Sequence, residues 1–349
     1  NHAGLMTKAQ MNSFKLKYGI SDGNEWHRFS DEKNNIELDQ YIKNLPFQKA
    51  KHRKYQSKKV LVDENVFIKE TKISTQNAFG KILDQYAKNN TDFSQRILTT
   101  SPDVSVSTNL GPWINRKGLF SRKDSSDTFK DRKIPSAQKW IFSSQGQHIE
   151  LGIAEMNLFL MLGAAGLSHE FFGERLFPIG TVYDPFISRG LDAMNYACYQ
   201  DARFMIVGTP SGISLAPEGG AHQSIGTPLI GISQPGLLSF EPAFADELAL
   251  IMNYGFNYLQ DEAGGSISLR LTTRSIDQPM REIDNELKNN IIKGGYWLKK
   301  PGPNPEIIIV YQGAVAREAI ESTALLGEKF KDSGVLSITS SDNLFHNWK

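Results

Sequence analysis

The sequence predicts an α/β fold built around a parallel sheet. Short apolar runs of strand length recur along the chain and are separated by helical segments or by polar loops. A parallel strand pair needs a long crossover connection, which a helix normally supplies. The clearest strand candidates are RILTT at 96–100, RLFPIGTVY at 175–183, RFMIVG at 203–208, GLLSF at 236–240 and SISLRLT at 266–272.

The bulk composition is typical of a globular protein with two domains. Of the 349 residues, 22% are charged and 40% are hydrophobic. The formal net charge of +1 gives no reason to expect nucleic acid or an anionic membrane as a partner. No apolar run approaches the ~20 residues that span a bilayer. Cys198 is the only cysteine, so an internal disulfide is impossible and a reducing cytoplasm is expected. Its apolar surroundings favour a small core residue over a nucleophile.

Composition shifts divide the chain into four segments. Residues 1–73 are polar and are expected to form a linker or extended arm, whereas residues 74–275 carry the pattern of the main domain. Residues 276–293 are expected to link this domain to the start of a smaller α/β domain at 294–349. There, the strand candidates EIIIVY and GVLSIT flank a helix, which predicts a right-handed parallel crossover. Because the chain opens on Asn1 and stops within this pattern, we expect it to be part of a longer polypeptide.

The stretch from Ile153 to Leu167 is the least polar helix candidate. Its only polar side chains are Glu155 and Asn157, which predicts a helix buried on nearly every side. A buried carboxylate needs compensation, because leaving water costs several kcal/mol. One interpretation is a salt bridge, or a helix-start carboxylate that faces backbone N–H groups. The other is a carboxyl group that exchanges a proton with a ligand.

Two later segments place aromatic and titratable side chains after strand candidates, where α/β folds bind ligands. Tyr183 and Phe186 follow one strand, and their rings can stack on a flat heterocycle or pack in the core. Glu218 and His222 lie in a loop rich in Gly and Pro after the next strand. His222 suits proton transfer near neutral pH, although an ordinary solvent-exposed loop is an alternative.

The loop after the strand candidate at 96–100 contains two further polar candidates. Asp103 and Asn109 lie in the run SPDVSVSTN. Asp and Asn favour turns, so a purely conformational role explains both residues equally well.

Four motifs resemble, in order, those of the transketolase-like pyrimidine-binding domain of thiamine-diphosphate enzymes. They are Gly152-Ile-Ala-Glu155, Tyr183-Asp-Pro-Phe186, Glu218-Gly-Gly-Ala-His-Gln223 and Glu241-Pro-Ala-Phe-Ala-Asp-Glu247. The resemblance favours the homodimeric bacterial pyruvate dehydrogenase branch. Transketolases begin the third loop with Thr-His-Asp-Ser, whose His serves their sugar substrate, and Pro210 stands at the corresponding position here.

The resemblance implies roles for single residues. In the family, the Glu of the first motif hydrogen-bonds a ring nitrogen of the cofactor's aminopyrimidine, and an aromatic ring stacks on that heterocycle. The opening residues 1–6 are similar to an active-site loop that carries a functional His. The implied catalytic residues are Glu155, His222 and His2. The implied cofactor-binding residues are Glu155, Tyr183, Phe186 and Asp103, and the implied substrate-binding residues are Glu218, His222 and Asn109.

The function that the resemblance implies is that of a thiamine-diphosphate-dependent 2-oxo-acid dehydrogenase component. It would decarboxylate pyruvate and transfer the acetyl group to the lipoyl domain of a dihydrolipoyl acetyltransferase. The family forms its sites between subunits, which predicts a homodimer with the Glu155 helix near the two-fold axis. Transketolase-type ketol transfer and a non-catalytic scaffold domain remain alternatives.

The diphosphate end of the cofactor is expected to bind elsewhere. The family holds it through Mg²⁺, using a Gly-Asp-Gly motif and a later Asn. The Gly-Asp-Gly string does not occur here, and no carboxylate cluster of that spacing replaces it. The resemblance therefore places the Mg²⁺ ligands in a domain before Asn1 and implies no metal ligand within this chain.

Overall fold

Contacts between residues group the chain into two compact units, residues 1–54 and 55–349. The computed structural model describes residues 4–27, 35–45, 48, 57–64, 66–123, 131–135 and 140–348. The predicted boundaries after residues 73, 275 and 293 are not tested by this division and stay predictions. His2 lies outside the described residues.

The described part of the first unit contains helices α1 (Lys8–Lys17) and α2 (Asn35–Asn44). Thr7 caps α1, because its hydroxyl accepts a hydrogen bond from the backbone N–H of Gln10. The Gln10 side chain accepts in turn from the backbone N–H of Thr7. This capping box satisfies two backbone donors that the first turn of a helix leaves free.

A parallel sheet of eight strands forms the centre of the second unit. Before it, β1 (Lys72–Ile73) pairs antiparallel with β10 (Ile276–Asp277) in a separate ladder. The strands of the large sheet are β2 (Ile97–Ser101), β3 (Leu119–Phe120), β4 (Phe142–Ser143), β5 (His148–Glu150), β6 (Phe177–Val182), β7 (Met205–Gly208), β8 (Leu237–Phe240) and β9 (Ser266–Arg270). Their order across the sheet is β4-β3-β5-β2-β6-β7-β9-β8, and each neighbouring pair is parallel. The predicted α/β class is therefore confirmed.

Helices cover both faces of the large sheet. They are α3 (Thr75–Asn89), α4 (Asp92–Gln95), α5 (Gly111–Lys117), α6 (Glu155–Gly166), α7 (Ser168–Phe172), α8 (Leu191–Tyr199), α9 (Gly212–Leu215), α10 (Pro228–Ser233) and α11 (Ala245–Tyr258), with 3₁₀ helices at Asp184–Gly190, Ala216–Glu218 and Gly220–His222. Met205 and Val207 of β7 pack with α3 and α11, whereas Ile206 packs with α6 and α8. The continuous apolar run of this strand therefore reflects burial on both faces.

The end of the second unit contains a smaller sheet. After helix α12 (Asn285–Lys293), the strands β11 (Gly295–Lys299), β12 (Ile308–Gln312) and β13 (Gly334–Ile338) lie in the order β11-β13-β12. Helix α13 (Ala316–Leu326) connects β12 to β13, which are parallel as the sequence predicts, and α14 (Ser341–Trp348) follows. Strand β11 is antiparallel to β13. Within the described ranges, no helix has the length and the hydropathy to cross a membrane.

Helix α6 differs from the sequence-based expectation of burial on nearly every side. Leu158 and Leu162 are fully buried, but Leu160 is 57% exposed, and Ile153 just before the helix is exposed as well. The expectation is wrong for this chain, because an apolar side chain suits a protein interface as well as a core. Helical periodicity alone does not distinguish the two.

Cys198 in α8 is buried, and burial raises the pKa of its thiol to about 12. Because the thiolate is the reactive form, we expect the native chain to react with a thiol reagent at least ~100-fold more slowly than the urea-unfolded chain at pH 8. The absorbance of released thionitrobenzoate measures both rates. Equal rates in the native and unfolded chains would contradict the assignment of Cys198 to the core.

Candidate functional site

The predicted site residues follow strands whose carboxyl ends meet at one edge of the parallel sheet. The segment after β6 carries Tyr183 and Phe186, and the segment after β7 carries Glu218 and His222. Because β6 and β7 are neighbours and parallel, these two segments emerge side by side.

Glu155 is the first residue of α6, and its side chain is only 10% exposed. Its Oε1 accepts a hydrogen bond from Nη1 of Arg189 at 2.9 Å. Both parts of the structural interpretation, a salt bridge and a carboxylate at a helix start, are therefore present. These contacts are also compatible with the ligand-binding interpretation, which depends on the residues that surround Arg189.

Arg189 connects Glu155 to the aromatic segment. It lies in the 3₁₀ helix that follows β6, and its guanidinium carbon is 3.9 Å from the centroid of the Phe186 ring. The Arg189 side chain is 49% exposed. The planar guanidinium of Arg189 therefore contacts both the Glu155 carboxylate and the face of the Phe186 ring. Sequence reasoning missed Arg189, because nothing in its local pattern points to Glu155.

Tyr183, Phe186 and His222 form a ring cluster. The centroids of Tyr183 and Phe186 are 6.0 Å apart with their planes inclined by 23°. The His222 ring lies 5.3 Å from Phe186 and 6.2 Å from Tyr183. Nε2 of His222 is 3.7 Å from Oε2 of Glu218, and both side chains are accessible to solvent. The structure thus brings five predicted site residues into one connected group with Arg189: Glu155, Tyr183, Phe186, Glu218 and His222.

Asp103 and Asn109 are placed differently. Both adopt positive φ angles, 65° and 64°, in the region that Asp and Asn tolerate best. Nδ2 of Asn109 donates to the carbonyl oxygen of Gln76 at 3.3 Å, at the start of α3. Among the described residues, no hydrogen bond joins Asp103 or Asn109 to the ring cluster. Their conformational role is therefore visible, whereas their predicted ligand contacts stay predictions.

Glu150 at the end of β5 holds the Asp103 loop. Its Oε1 accepts from the backbone N–H of Asp103 at 2.8 Å, and its Oε2 accepts from Oγ of Ser105 at 2.5 Å. Nε2 of the buried His148 lies 3.4 Å from the same Oε2. Burial raises the pKa of this carboxyl, but the contacts with His148, Ser105 and the Asp103 N–H outweigh burial and hold the pKa below its ordinary value.

Asp184, Arg270 and Glu241 form a buried ion-pair network at the same edge of the sheet. Nε of Arg270 donates to Oδ2 of Asp184 and Nη1 donates to Oε1 of Glu241, both at 2.9 Å. Burial raises the pKa of both carboxyls, and Arg270 offsets only part of that increase. None of the three residues was predicted as a site residue. The available signal was Arg270, a lone charge in the apolar run SISLRLT.

The lowered pKa of Glu150 predicts an acid-sensitive contribution to stability. The folded carboxyl binds its proton less tightly than the unfolded one, whose pKa is about 4.3, so the stabilisation is complete at neutral pH. It is lost as the pH falls through the lower folded pKa. We expect Glu150→Gln to lower the free energy of unfolding by about 1–2 kcal/mol at pH 7, with a smaller difference at pH 4.

Urea unfolding of both proteins between pH 7 and pH 4 measures this difference. Glu262→Gln, at an exposed position, is the matched control and should leave the pH dependence unchanged. A difference for Glu150→Gln that stays constant or grows toward acid pH would contradict the prediction.

Comparison with known families identifies the family to which the central part of the chain is similar. Residues 56–267 match the family model described as "Pyruvate dehydrogenase E1 component middle domain". The pyruvate dehydrogenase E1 component of Escherichia coli is 25% identical over 279 residues, which are 78% of this chain and 31% of that protein. The one from Mycolicibacterium smegmatis is 26% identical over 276 residues, 77% of this chain and 29% of that protein. The chain thus spans about a third of the length of these relatives.

Solved structures share the fold at lower identity. The transketolase of Leishmania mexicana aligns with a TM-score of 0.62 and 16% identity over 81% of this chain and 36% of that chain. The transketolase of Campylobacter jejuni aligns with a TM-score of 0.63 and 18% identity over 89% of this chain and 40% of that chain. These likenesses establish a transketolase-like fold. Because the family model covers more than half of the sequence, the chain belongs to the pyruvate dehydrogenase E1 component family, and its residues 56–267 correspond to the middle domain.

Proposed function

We propose that this chain holds the aminopyrimidine ring of thiamine diphosphate in a 2-oxo-acid dehydrogenase component. The full-length protein would decarboxylate pyruvate and transfer the acetyl group to the lipoyl domain of a dihydrolipoyl acetyltransferase. Membership of the E1 family supports the reaction class. The observation that carries the proposal is that Arg189 contacts both the nearly buried Glu155 carboxylate and the face of the partly buried Phe186 ring.

The residues present fit an aminopyrimidine ring. Such a ring is flat, so it needs an aromatic face, and its nitrogens need a hydrogen-bonding carboxyl group. The Arg189 guanidinium is itself a flat hydrogen-bond donor, and Phe186 and Glu155 already accommodate it at 3.9 Å and 2.9 Å. Arg189 is half exposed, so a ring can take its place while the guanidinium moves into solvent.

The residues present do not fit the Mg²⁺ that holds the diphosphate. In the part of the chain that the structure describes, no group of three or more His, Cys, Asp or Glu side chains could hold a metal ion. We propose that the diphosphate end of the cofactor and its Mg²⁺ bind to another part of the full-length protein.

The residues of this chain would have separate roles in orienting the ring and in moving protons. Bound thiamine diphosphate supplies an electron sink for the carbon–carbon bond that breaks. Glu155 would exchange a proton with a ring nitrogen through its carboxyl oxygen, and Tyr183 and Phe186 would fix the plane of the ring. His222 would move a proton at Nε2 to or from the substrate, and Oε2 of Glu218 lies 3.7 Å from that nitrogen.

We also propose that the chain forms a homodimer through the exposed face of α6. Leu160 on this helix and Ile153 just before it are exposed, and Tyr196 and Tyr199 of helix α8, which packs on α6, are exposed as well. Exposed large apolar side chains on two packed helices favour a protein interface, and self-association around a two-fold axis is its commonest form. Glu155 begins the same helix, so a partner subunit would lie close to the proposed cofactor site.

Replacing Glu155 tests the cofactor role. In the full-length gene product, we expect Glu155→Ala to lower the turnover of pyruvate by ~100-fold or more, because the proton exchange at the ring is lost. Reduction of an artificial electron acceptor measures turnover, and calorimetry with thiamine diphosphate measures binding.

The exposed variant Glu262→Ala serves as the control and should retain full turnover. Near-normal turnover in Glu155→Ala would remove the central assignment. Parallel assays with 2-oxoglutarate and xylulose phosphate identify a different substrate class, and a parent protein that binds no thiamine diphosphate would be a scaffold.

A charge on the exposed face of α6 tests the dimer. We expect Leu160→Glu to raise the dimer dissociation constant by ~100-fold or more, because it buries an unpaired carboxylate. Sedimentation equilibrium of the chain measures this constant. Leu325→Glu places the same charge on exposed α13 and should leave it unchanged. A parent chain that stays monomeric at ~100 μM would contradict the proposal, because stable dimers bind far more tightly.

A further inference from the structure

We propose that Arg270 is a positioning residue that sets the spacing within the ring cluster and couples the cluster to the smaller sheet. The proposal rests on the proposed function for the identity of the ligand, but the contacts that support it are independent of any ligand. They consist of two buried arms, one to Asp184 and one to Glu241.

The first arm ties together the two segments that carry the ring cluster. Asp184 lies between Tyr183 and Phe186 in the chain and is completely buried. Its Oδ2 accepts from Nε of Arg270 at 2.9 Å and from the backbone N–H of Gly212 at 2.7 Å. Gly212 begins α9, the first element of the segment that leads to His222. One carboxylate oxygen therefore fixes both segments relative to each other.

Arg270 is essential to this arrangement because Asp184 has little other support. Oδ1 of Asp184 is buried and has no hydrogen-bond partner among the described residues. A buried carboxylate without a cation is costly, so without a well-placed Arg270 this carboxylate would shift toward water. Tyr183 is its direct neighbour in the chain, so the ring cluster would shift with it.

The second arm reaches the smaller sheet. Nη1 of Arg270 donates to Oε1 of Glu241, whose backbone N–H donates to the carbonyl oxygen of Thr339 at 2.8 Å. Gly313, at the turn between β12 and α13, packs so closely that a Cβ there would clash with the Glu241 carboxylate. The guanidinium can serve both arms because its donors form a rigid planar fork, which a lysine ammonium lacks.

Hydrogen exchange of the chain without ligand tests the coupling. Arg270→Lys keeps the charge but removes the fork. We expect amide exchange to become ~10-fold faster or more in residues 183–190 and 211–226 together, while the core helix α3 keeps its protection. Arg274→Lys is the matched control, since Nη1 of Arg274 contacts the carbonyl oxygen of Ala314 at the same turn. It should leave both segments unchanged.

A second variant tests the arm to Glu241 separately, and it replaces Arg270→Lys as the test if that variant fails to fold. Glu241→Gln retains the Arg270–Asp184 pair and removes only the charge of the other arm. We expect faster exchange at residues 313–316 with residues 183–190 unchanged. Uniform acceleration along the whole chain in Arg270→Lys, or acceleration in only one of its two segments, would overturn the proposal. So would faster exchange at 183–190 in Glu241→Gln.

Kinetics of the full-length gene product separate this proposal from the proposed function. For Arg270→Lys we expect kcat for pyruvate to fall by ~10- to 100-fold with a change in KM below ~3-fold, because misplaced groups slow chemistry more than binding. If the parent binds no thiamine diphosphate, the proposed function fails while the exchange result still decides the role of Arg270. If the parent turns over pyruvate and Arg270→Lys exchanges like the parent, only the positioning role fails.

Discussion

Parallel pairing of the eight strands is the constraint from which the rest of the structure follows. Because all strands point the same way, the segments after β6, β7, β8 and β9 emerge at one edge of the sheet. Helices bury both faces, so this edge is where charged side chains from different strands must meet. There, Asp184, Glu241 and Arg270 compensate one another in a largely water-excluded environment.

The strands were predictable where their burial produced an apolar run. The runs at 175–183 and 203–208 contain β6 and β7, since a strand buried on both faces has few polar side chains. The short strands β3 and β4 were not predicted, because two residues form no periodic pattern. The sequence also did not predict that one face of α6 is exposed, because Leu160 on that face is as apolar as Leu158 in the core.

The candidate site was predictable in its local motifs but not in its pairings. Glu155, Phe186 and His222 were recognisable because each lies in a short motif beside a strand or helix end. Their cations were not, since Arg189 and Arg270 pair with carboxylates 34 and 86 residues away in sequence. Such pairings depend on the order of strands in the sheet, which a single sequence does not contain. Asp103 and Asn109 show the reverse, because their turn-forming tendency alone accounts for their observed conformation.

The two arginine–carboxylate pairs at this edge differ in a way that suits two different roles. Arg189 is 49% exposed, and an ion pair in contact with water contributes only ~0–1 kcal/mol, so a ligand can displace it from Glu155 at little cost. Arg270 is 11% exposed, and removing one partner of such a buried pair leaves an uncompensated charge that costs ~3–5 kcal/mol. The first pair is therefore exchangeable and the second is fixed. The proposed cofactor site would use both kinds, because Arg189 would have to leave Glu155 to admit a ring while Arg270 kept the surrounding segments in place.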